Sequence, residues 1–169
     1  MEILTFTREN SDMLLTQTFP VDLTDPSEME WVADFSEKMI WHCQLVGAAG
    51  LASNQVGINK HMCVYKEHLT GKWGTLVNAV LSFPNENNVE AVGEGCFSLP
   101  GLYLNLKRPR SVRVNAFGTD GKEKTFLANG WTSRAIQHEV DHLNGILFIQ
   151  RYLESESRFK ALVDAKGLK

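Results

Sequence analysis

Two stretches of the chain repeat their apolar residues with the three-to-four-residue spacing of an α-helix. The first opens with Asp25-Pro26-Ser27-Glu28, which offers a capping residue, a proline in the first turn and a glutamate three residues after the cap. The apolar residues that follow at helical spacing are Val32, Phe35, Met39, Cys43 and Val46. Gly47 is suited to end a helix. The pattern therefore predicts a buried amphipathic helix in the N-terminal part of the chain.

The second stretch lies near residue 140 and has two distinct faces. When successive residues are placed about 100° apart, its apolar residues fall on one side: Ile136, Val140 and Leu143. His138 and His142 fall on another side, and Trp131 and Ala135 share that side one or two turns earlier. We expect one face to pack on a sheet and the other to line a site, which places this helix at the centre of the fold.

Between these helices the pattern changes to short runs of β-prone residues. The clearest runs are Met62–Tyr65, Val89–Val92, Ser111–Phe117 and Thr125–Leu127. Gly118-Thr119-Asp120-Gly121 has the composition of a hairpin turn, and residues 84–88 have that of an exposed bend. The small residues from Gly47 to Gly57 predict a loop whose backbone approaches another group closely, as in a pocket wall.

The last part of the chain predicts a short strand and then a helix. Gly145 is suited to end the central helix, and Ile146–Ile149 has the composition of a short apolar strand. The apolar residues beyond it have the spacing of a final amphipathic helix: Phe159, Leu162 and Val163. No repeat, low-complexity tract or long linker divides the sequence, so residues 1–169 are predicted to form a single α+β domain.

Composition and charge argue against several classes of protein. A chain of 169 residues buries roughly 70% of its extended-chain surface on folding, so it needs no disulfide scaffold. Its three cysteines are an odd number, and it opens without a basic or apolar leader, which favours a reducing, cytoplasmic compartment. No apolar run approaches the roughly 20 residues that span a membrane. The net charge of -3 and the absence of basic runs argue against DNA as a ligand.

The central helix carries His138-Glu139-Val140-Asp141-His142, a run of the form H-E-x-x-H. Two histidines four residues apart point the same way, so both can bind one cation while Glu139 lies beside a water molecule. A hydrolytic metal centre of this kind needs a third protein ligand.

Several residues are candidates for the third ligand. One group of zinc peptidases places a third histidine where this chain has Phe148. Glu154 and Glu156 lie in a charged segment that is expected to be solvated. The remaining histidines have no supporting spacing: His42, His61 and His68. Cys96 is the strongest candidate, because it lies among glycines that let the backbone crowd a site, and two histidines with one cysteine leave a fourth position open for water.

Three segments resemble, in the same order, the three motifs of the peptide deformylases. They are Gly50-Leu51-Ala52-Ser53-Asn54-Gln55, Glu94-Gly95-Cys96-Phe97-Ser98 and Gln137-His138-Glu139-Val140-Asp141-His142-Leu143-Asn144-Gly145. The first departs from the family pattern G-x-G-L-A-A-x-Q, because Ala48 replaces its first glycine and Ser53 its second alanine. Phe97 stands where leucine is common. These departures keep Gly50 and Gln55 but change the wall beside the substrate.

The resemblance implies a fold, a reaction and a set of roles. The fold would be antiparallel sheets around the central H-E-x-x-H helix, with an N-terminal and a C-terminal helix. The reaction would be removal of the formyl group from N-formylmethionyl nascent peptides, with release of formate. Glu139 would act as acid and base, while Gln55 and the backbone N–H of Phe97 would hold the developing oxyanion.

The resemblance also implies a divalent metal. Its ligands would be Cys96, His138 and His142. Fe(II) is the expected native ion, and Zn(II), Ni(II) or Co(II) are ions that purified protein can also hold.

Four residues are candidates for the substrate pocket: Gly50, Val92, Glu94 and Trp131. Val92 and Trp131 would contact the methionine side chain, although packing in the core explains them equally well. Glu94 would form part of the pocket edge, but an ion pair with Arg108 or Arg110 is the simpler explanation for a glutamate at this position.

Two other functions stay open. A zinc endopeptidase would use the same helix, but Phe148 and Cys96 argue against it. A non-catalytic module would keep the metal only for stability or partner binding, and it would have no need of Glu139 or Gln55. Residues 151–169 contain five basic and three acidic residues, an excess that would let a terminal helix contact the ribosome, as the resemblance allows, or that equally suits an ordinary solvated face.

We predict that Cys96→Ser weakens metal binding or changes metal preference, because a hydroxyl oxygen is a poorer soft donor than a thiolate. Elemental analysis of the purified variant beside the parent protein measures this. Unchanged content and preference would mean that another side chain, such as that of Glu154, is the third ligand.

Overall fold

The computed structural model describes the backbone of residues 1–165 and the side chains of residues 1–157. The helices of this part of the chain are α1 (Ser11–Leu15), α2 (Pro26–Val46), α3 (Gly130–Leu143) and α4 (Phe148–Ala165). Its strands are β1 (Gly50–Ala52), β2 (Met62–Lys66), β3 (Trp73–Ser82), β4 (Val89–Cys96), β5 (Leu99–Pro109), β6 (Ser111–Phe117) and β7 (Glu123–Asn129). The predicted α+β class is confirmed.

The strands form two antiparallel sheets. One has five strands in the order β1-β2-β3-β6-β7, and the other is the β4–β5 hairpin. Helix α3 contacts strands of both sheets, and α4 packs against the hairpin. The expectation of antiparallel sheets around a central helix, with helices towards both ends of the chain, is confirmed.

Helix α2 begins and ends where the sequence predicts. The Asp25 side chain accepts hydrogen bonds from the backbone N–H groups of Ser27 at 2.8 Å and Glu28 at 3.4 Å. Gly47 takes a left-handed conformation and donates to the Cys43 carbonyl. The buried side of α2 joins a core cluster with β1, β2 and β3. Burial raises the pKa of the Cys43 thiol to about 12, so this side chain acts as an apolar group in the core.

The predicted apolar side of α3 packs on the five-stranded sheet. Ile136, Val140 and Leu143 are buried in a cluster with residues of β2, β3, β6 and β7. The other side of α3 faces the β4–β5 hairpin, whose Arg108 and Glu94 are also buried. Both faces of this helix are therefore covered, one by apolar and one by polar neighbours.

Two local predictions are wrong. Residues 47–57 do not form one loop, because Gly50–Ala52 pairs with β2 and Ser53–Val56 forms a 3-10 helix. The predicted strand Ile146–Ile149 is absent, since α4 begins at Phe148. Composition could not distinguish a strand from a helix at Ile146–Ile149, because a short apolar run suits the buried start of a helix as well as a strand. Leu147 and Phe148 are buried there without any strand partner.

The two predicted turns are confirmed, and four further elements were not predicted. The predicted turns lie at residues 118–121 and 84–88. Strands β1, β3 and β5 and helix α1 were not predicted, although Leu102, Leu104 and Leu106 alternate as a strand requires. The predicted final helix is present as α4, but Phe159, Leu162 and Val163 lie outside the residues whose side chains are described. Within the described residues, no helix combines the length and apolar character needed to cross a membrane.

Gly145 follows the end of α3 with a φ of +71°, and a β-carbon there would lie 2.5 Å from the Leu15 carbonyl oxygen. Gly47 has a φ of +72° with open space around it. Both alanine variants should be strained by about 1–3 kcal/mol. Urea unfolding of Gly145→Ala should reveal a larger loss of stability than that of Gly47→Ala, since Gly145 also has a backbone collision. Equal losses would mean that the contact with Leu15 does not constrain the position.

Candidate metal centre and active site

Three side chains from two elements converge beside α3. His138 and His142 project from α3, and Cys96 ends β4. The Cys96 sulfur lies 3.2 Å from Nε2 of His142, which in turn lies 3.2 Å from Nε2 of His138. Their donor atoms all lie within 4.8 Å of one another.

This donor set fits a divalent metal ion. A tetrahedral ion with bonds of about 2.0–2.3 Å requires ligand atoms about 3.3–3.6 Å apart, close to the separations in this cluster. One thiolate and two imidazoles suit zinc and iron, and three protein ligands leave a position for water or substrate. Cys96, His138 and His142 form the metal-binding group that the described residues offer.

Glu94 fixes the orientation of His138. Its Oε1 lies 2.6 Å from Nδ1 of His138. Burial alone would raise the pKa of Glu94, but hydrogen bonds from His138 and Arg108 outweigh it and hold this pKa well below its usual range. Because an ionised carboxylate only accepts, Nδ1 of His138 carries the hydrogen and Nε2 keeps its lone pair for a metal.

The Glu94 carboxylate is itself held by two arginines. Arg108 donates from Nε at 2.9 Å and from Nη2 at 2.7 Å, and Arg134 donates from Nη1 at 2.9 Å. Of the two partners predicted for Glu94, Arg108 forms the ion pair, while Arg110 lies on the surface near Glu90. Arg134 was missed, although it precedes His138 by four residues and therefore shares its side of α3.

Glu139 lies in the floor of the site and is 5% exposed. Burial raises its pKa to about 7, the range in which a carboxyl group can both accept and return a proton. Its Oε2 has no hydrogen-bond partner among the described residues. A buried carboxylate oxygen without a protein partner is suited to bind water or substrate.

Gly50 leaves the space that Glu139 occupies. A β-carbon at position 50 would lie 2.6 Å from Oε1 of Glu139. The backbone of β1 therefore lies directly against the carboxylate, which explains the close approach predicted for the small-residue segment.

Gln55 and Phe97 lie beside the metal-binding group. Oε1 of Gln55 accepts from the Ala52 backbone N–H at 2.9 Å, which directs its amide nitrogen towards the site. That nitrogen lies 3.6 Å from the Cys96 sulfur and donates to Ser98 at 3.2 Å. Phe97 follows Cys96 and its side chain is half exposed at the same opening.

These groups surround a cavity of about 730 Å³. Of the four residues predicted for the substrate pocket, Gly50, Glu94 and Trp131 line this cavity and Val92 does not. Lys66 and Tyr103 also line the cavity, although no sequence pattern indicated them, and they are joined by Ala49 of the small-residue segment and by His68, which was weighed only as a third metal ligand. Lys66 ends β2 and His68 follows that strand, in a segment without a recognisable motif, so only the folded chain brings them to the opening.

Comparison with known proteins decides the family. The family model described as polypeptide deformylase matches residues 2–158. The chain belongs to this family. The peptide deformylase of Borreliella burgdorferi is 32% identical over 161 residues and covers 94% of both chains. That of Stutzerimonas stutzeri is 35% identical over 159 residues, covering 94% of this chain and 91% of its own.

Solved structures of peptide deformylases have the same fold. The enzyme from Thermus thermophilus matches with a TM-score of 0.79 and 27% identity, over 96% of this chain and 90% of its own. The enzyme from Thermotoga maritima matches with a TM-score of 0.78 and 28% identity, over 89% of this chain and 95% of its own. Peptide deformylases are metalloenzymes that remove the formyl group from nascent peptides, and this chain is a hydrolase of that kind.

We predict that Gly50→Ala reduces deformylation on the order of a hundred-fold, because the added methyl group displaces the Glu139 carboxylate and small displacements of a reacting group have effects of that size. Gly118→Ala is the matched control, since the nearest neighbours of its β-carbon are atoms of Asp120 in the β6–β7 turn. Formate release measures both. Comparable activity in the two variants would contradict a fixed position for Glu139.

Proposed function

We propose that Cys96, His138 and His142 bind the catalytic metal and that Glu139, Gln55 and the backbone N–H of Phe97 carry out deformylation. The observation that carries this proposal is the convergence of three soft or imidazole donors beside a buried carboxyl group with a pKa of about 7. A divalent metal bound there would lower the pKa of water and polarise the formyl oxygen.

Glu139 acts as the base and then as the acid. Its buried carboxylate accepts a proton from the attacking water, and the water oxygen bonds to the formyl carbon. When the carbon–nitrogen bond breaks, Glu139 returns that proton to the leaving nitrogen. The products are formate and a peptide with a free N-terminal amine.

Gln55 and Phe97 stabilise the charge that develops on the formyl oxygen. The Gln55 amide nitrogen faces the Cys96 sulfur, and Phe97 is the next residue after Cys96. Donors placed in advance at such a point need no rearrangement as charge develops, and losing one typically costs roughly a hundred- to a thousand-fold in rate.

Fe(II) is the proposed native metal. The thiolate of Cys96 is a soft ligand that suits iron or zinc, and a thiolate beside iron is open to oxidation, so the native enzyme is air-sensitive. The general affinity order favours nickel, cobalt and zinc over Fe(II), so purified protein can carry Zn(II), Ni(II) or Co(II) instead.

The substrate is the N-formylmethionyl end of a nascent peptide, which enters the 730 Å³ cavity beside Trp131. We propose that the enzyme acts in the cytoplasm near the ribosome, because its substrates are nascent chains. Basic residues between 151 and 169 support contact with ribosomal RNA.

Formate release from a formyl-Met-Ala-Ser peptide tests the proposed reaction. Protein purified without oxygen and supplied with Fe(II) should release formate well above the buffer rate, and a metal chelator should abolish this. Metal-replete protein that releases no formate would leave a non-catalytic module as the better explanation. Cleavage of casein in the same assay would instead favour an endopeptidase.

Glu139→Ala should keep the metal but lose turnover on the order of a hundred-fold or more, because positioned proton transfer typically contributes that much. Metal content and formate release are measured on the same sample. A metal-replete variant with normal turnover would remove Glu139 from the mechanism.

A further inference from the structure

A second set of charged residues connects helix α4 to the metal-binding group. Arg151 of α4 donates from Nη2 to Oδ1 of Asp141 at 2.7 Å, and its Nε lies 3.3 Å from the same oxygen. The Arg151 side chain is 40% exposed, whereas that of Asp141 is 10% exposed. Asp141 lies between the two histidines on α3, so α4 is bonded to the helix segment that carries them.

The connection continues into the polar side of the site. The other oxygen of Asp141 accepts from Nη1 of Arg108 at 2.7 Å. Arg108 donates from Nε and Nη2 to the two oxygens of Glu94, and Oε1 of Glu94 lies 2.6 Å from Nδ1 of His138. Arg151 is thus linked to a metal ligand through three intervening side chains by hydrogen bonds of 2.6 to 2.9 Å.

Arg108 and Glu94, in the middle of this chain of contacts, have little conformational freedom. The side chains of Arg108 and Glu94 are each 6% exposed, so loss of a partner there would leave a largely buried charge unpaired. The planar guanidinium group of Arg108 meets both carboxylates with fixed geometry, so a shift of Asp141 rotates the donors that face Glu94. The contact between Arg151 and Asp141 is the link nearest to solvent.

We propose that Arg151 is a positioning residue for the metal ligand His138, acting through Asp141, Arg108 and Glu94. Docking of α4 and retention of the metal are therefore coupled. This inference rests on the proposed metal centre. A residue that merely attached α4 to the domain would contribute to stability but would leave metal release unchanged.

The rate of Zn(II) release to an excess of chelator tests this coupling on the full chain. Arg151→Met should release Zn(II) several-fold faster than the parent protein. Arg151→Lys should fall between the two, because it keeps the charge without the planar pair of donors. Arg110→Met is the matched control and should release Zn(II) at the parent rate. Arg110 is an exposed arginine whose Nε lies 3.8 Å from Oε2 of Glu90 on the surface.

Glu94→Gln calibrates the experiment. Loss of a group that orients a metal-binding histidine typically weakens metal affinity about 10- to 100-fold. If Glu94→Gln releases Zn(II) faster and both Arg151 variants release it at the parent rate, the proposal is overturned, whatever their thermal stability. If the parent protein binds no stoichiometric Zn(II), the proposed metal centre fails instead.

Thermal unfolding of the metal-free variants separates positioning from stability. If Arg151→Met does not fold, Arg151→Lys carries the test by itself. A lower unfolding temperature with unchanged Zn(II) release indicates a purely structural role and contradicts the proposal. Faster release from a variant whose metal-free form unfolds at the parent temperature supports it.

Discussion

The burial of charged side chains on one helix governs this structure. Every residue of α3 from Thr132 to Leu143 except Ala135 is buried, including both metal-binding histidines, Glu139, Arg134 and Asp141. A charge removed from water needs a partner, and the surrounding elements supply one for Arg134, His138 and Asp141, whereas Oε2 of Glu139 has none among the described residues. The metal-binding group forms where His138 and His142 of α3 meet Cys96 at the end of β4.

The β4–β5 hairpin supplies most of these partners. It provides Cys96 for the metal and Glu94 and Arg108 for the charged side of α3. The five-stranded sheet supplies the apolar neighbours on the opposite side. This division explains why the sequence of α3 has one apolar and one polar face although little of the helix is exposed.

Short-range patterns predicted the parts of the fold that depend on neighbouring residues. The Asp25 cap, the end of α2 at Gly47 and the β6–β7 turn all follow from local hydrogen bonding or backbone preference. The segment Ile146–Ile149 was assigned wrongly, because its burial depends on distant elements. The three motifs located the candidate site, whereas the contact of Arg134 with Glu94 arises only when α3 and the hairpin meet.

X-ray absorption spectroscopy of the Zn(II)-loaded protein tests the metal centre most directly. Binding by Cys96, His138 and His142 predicts one sulfur at about 2.3 Å and two imidazole nitrogens at about 2.0–2.1 Å, with one further light atom completing the shell. A shell without sulfur, or with one imidazole or none, would contradict this set of ligands.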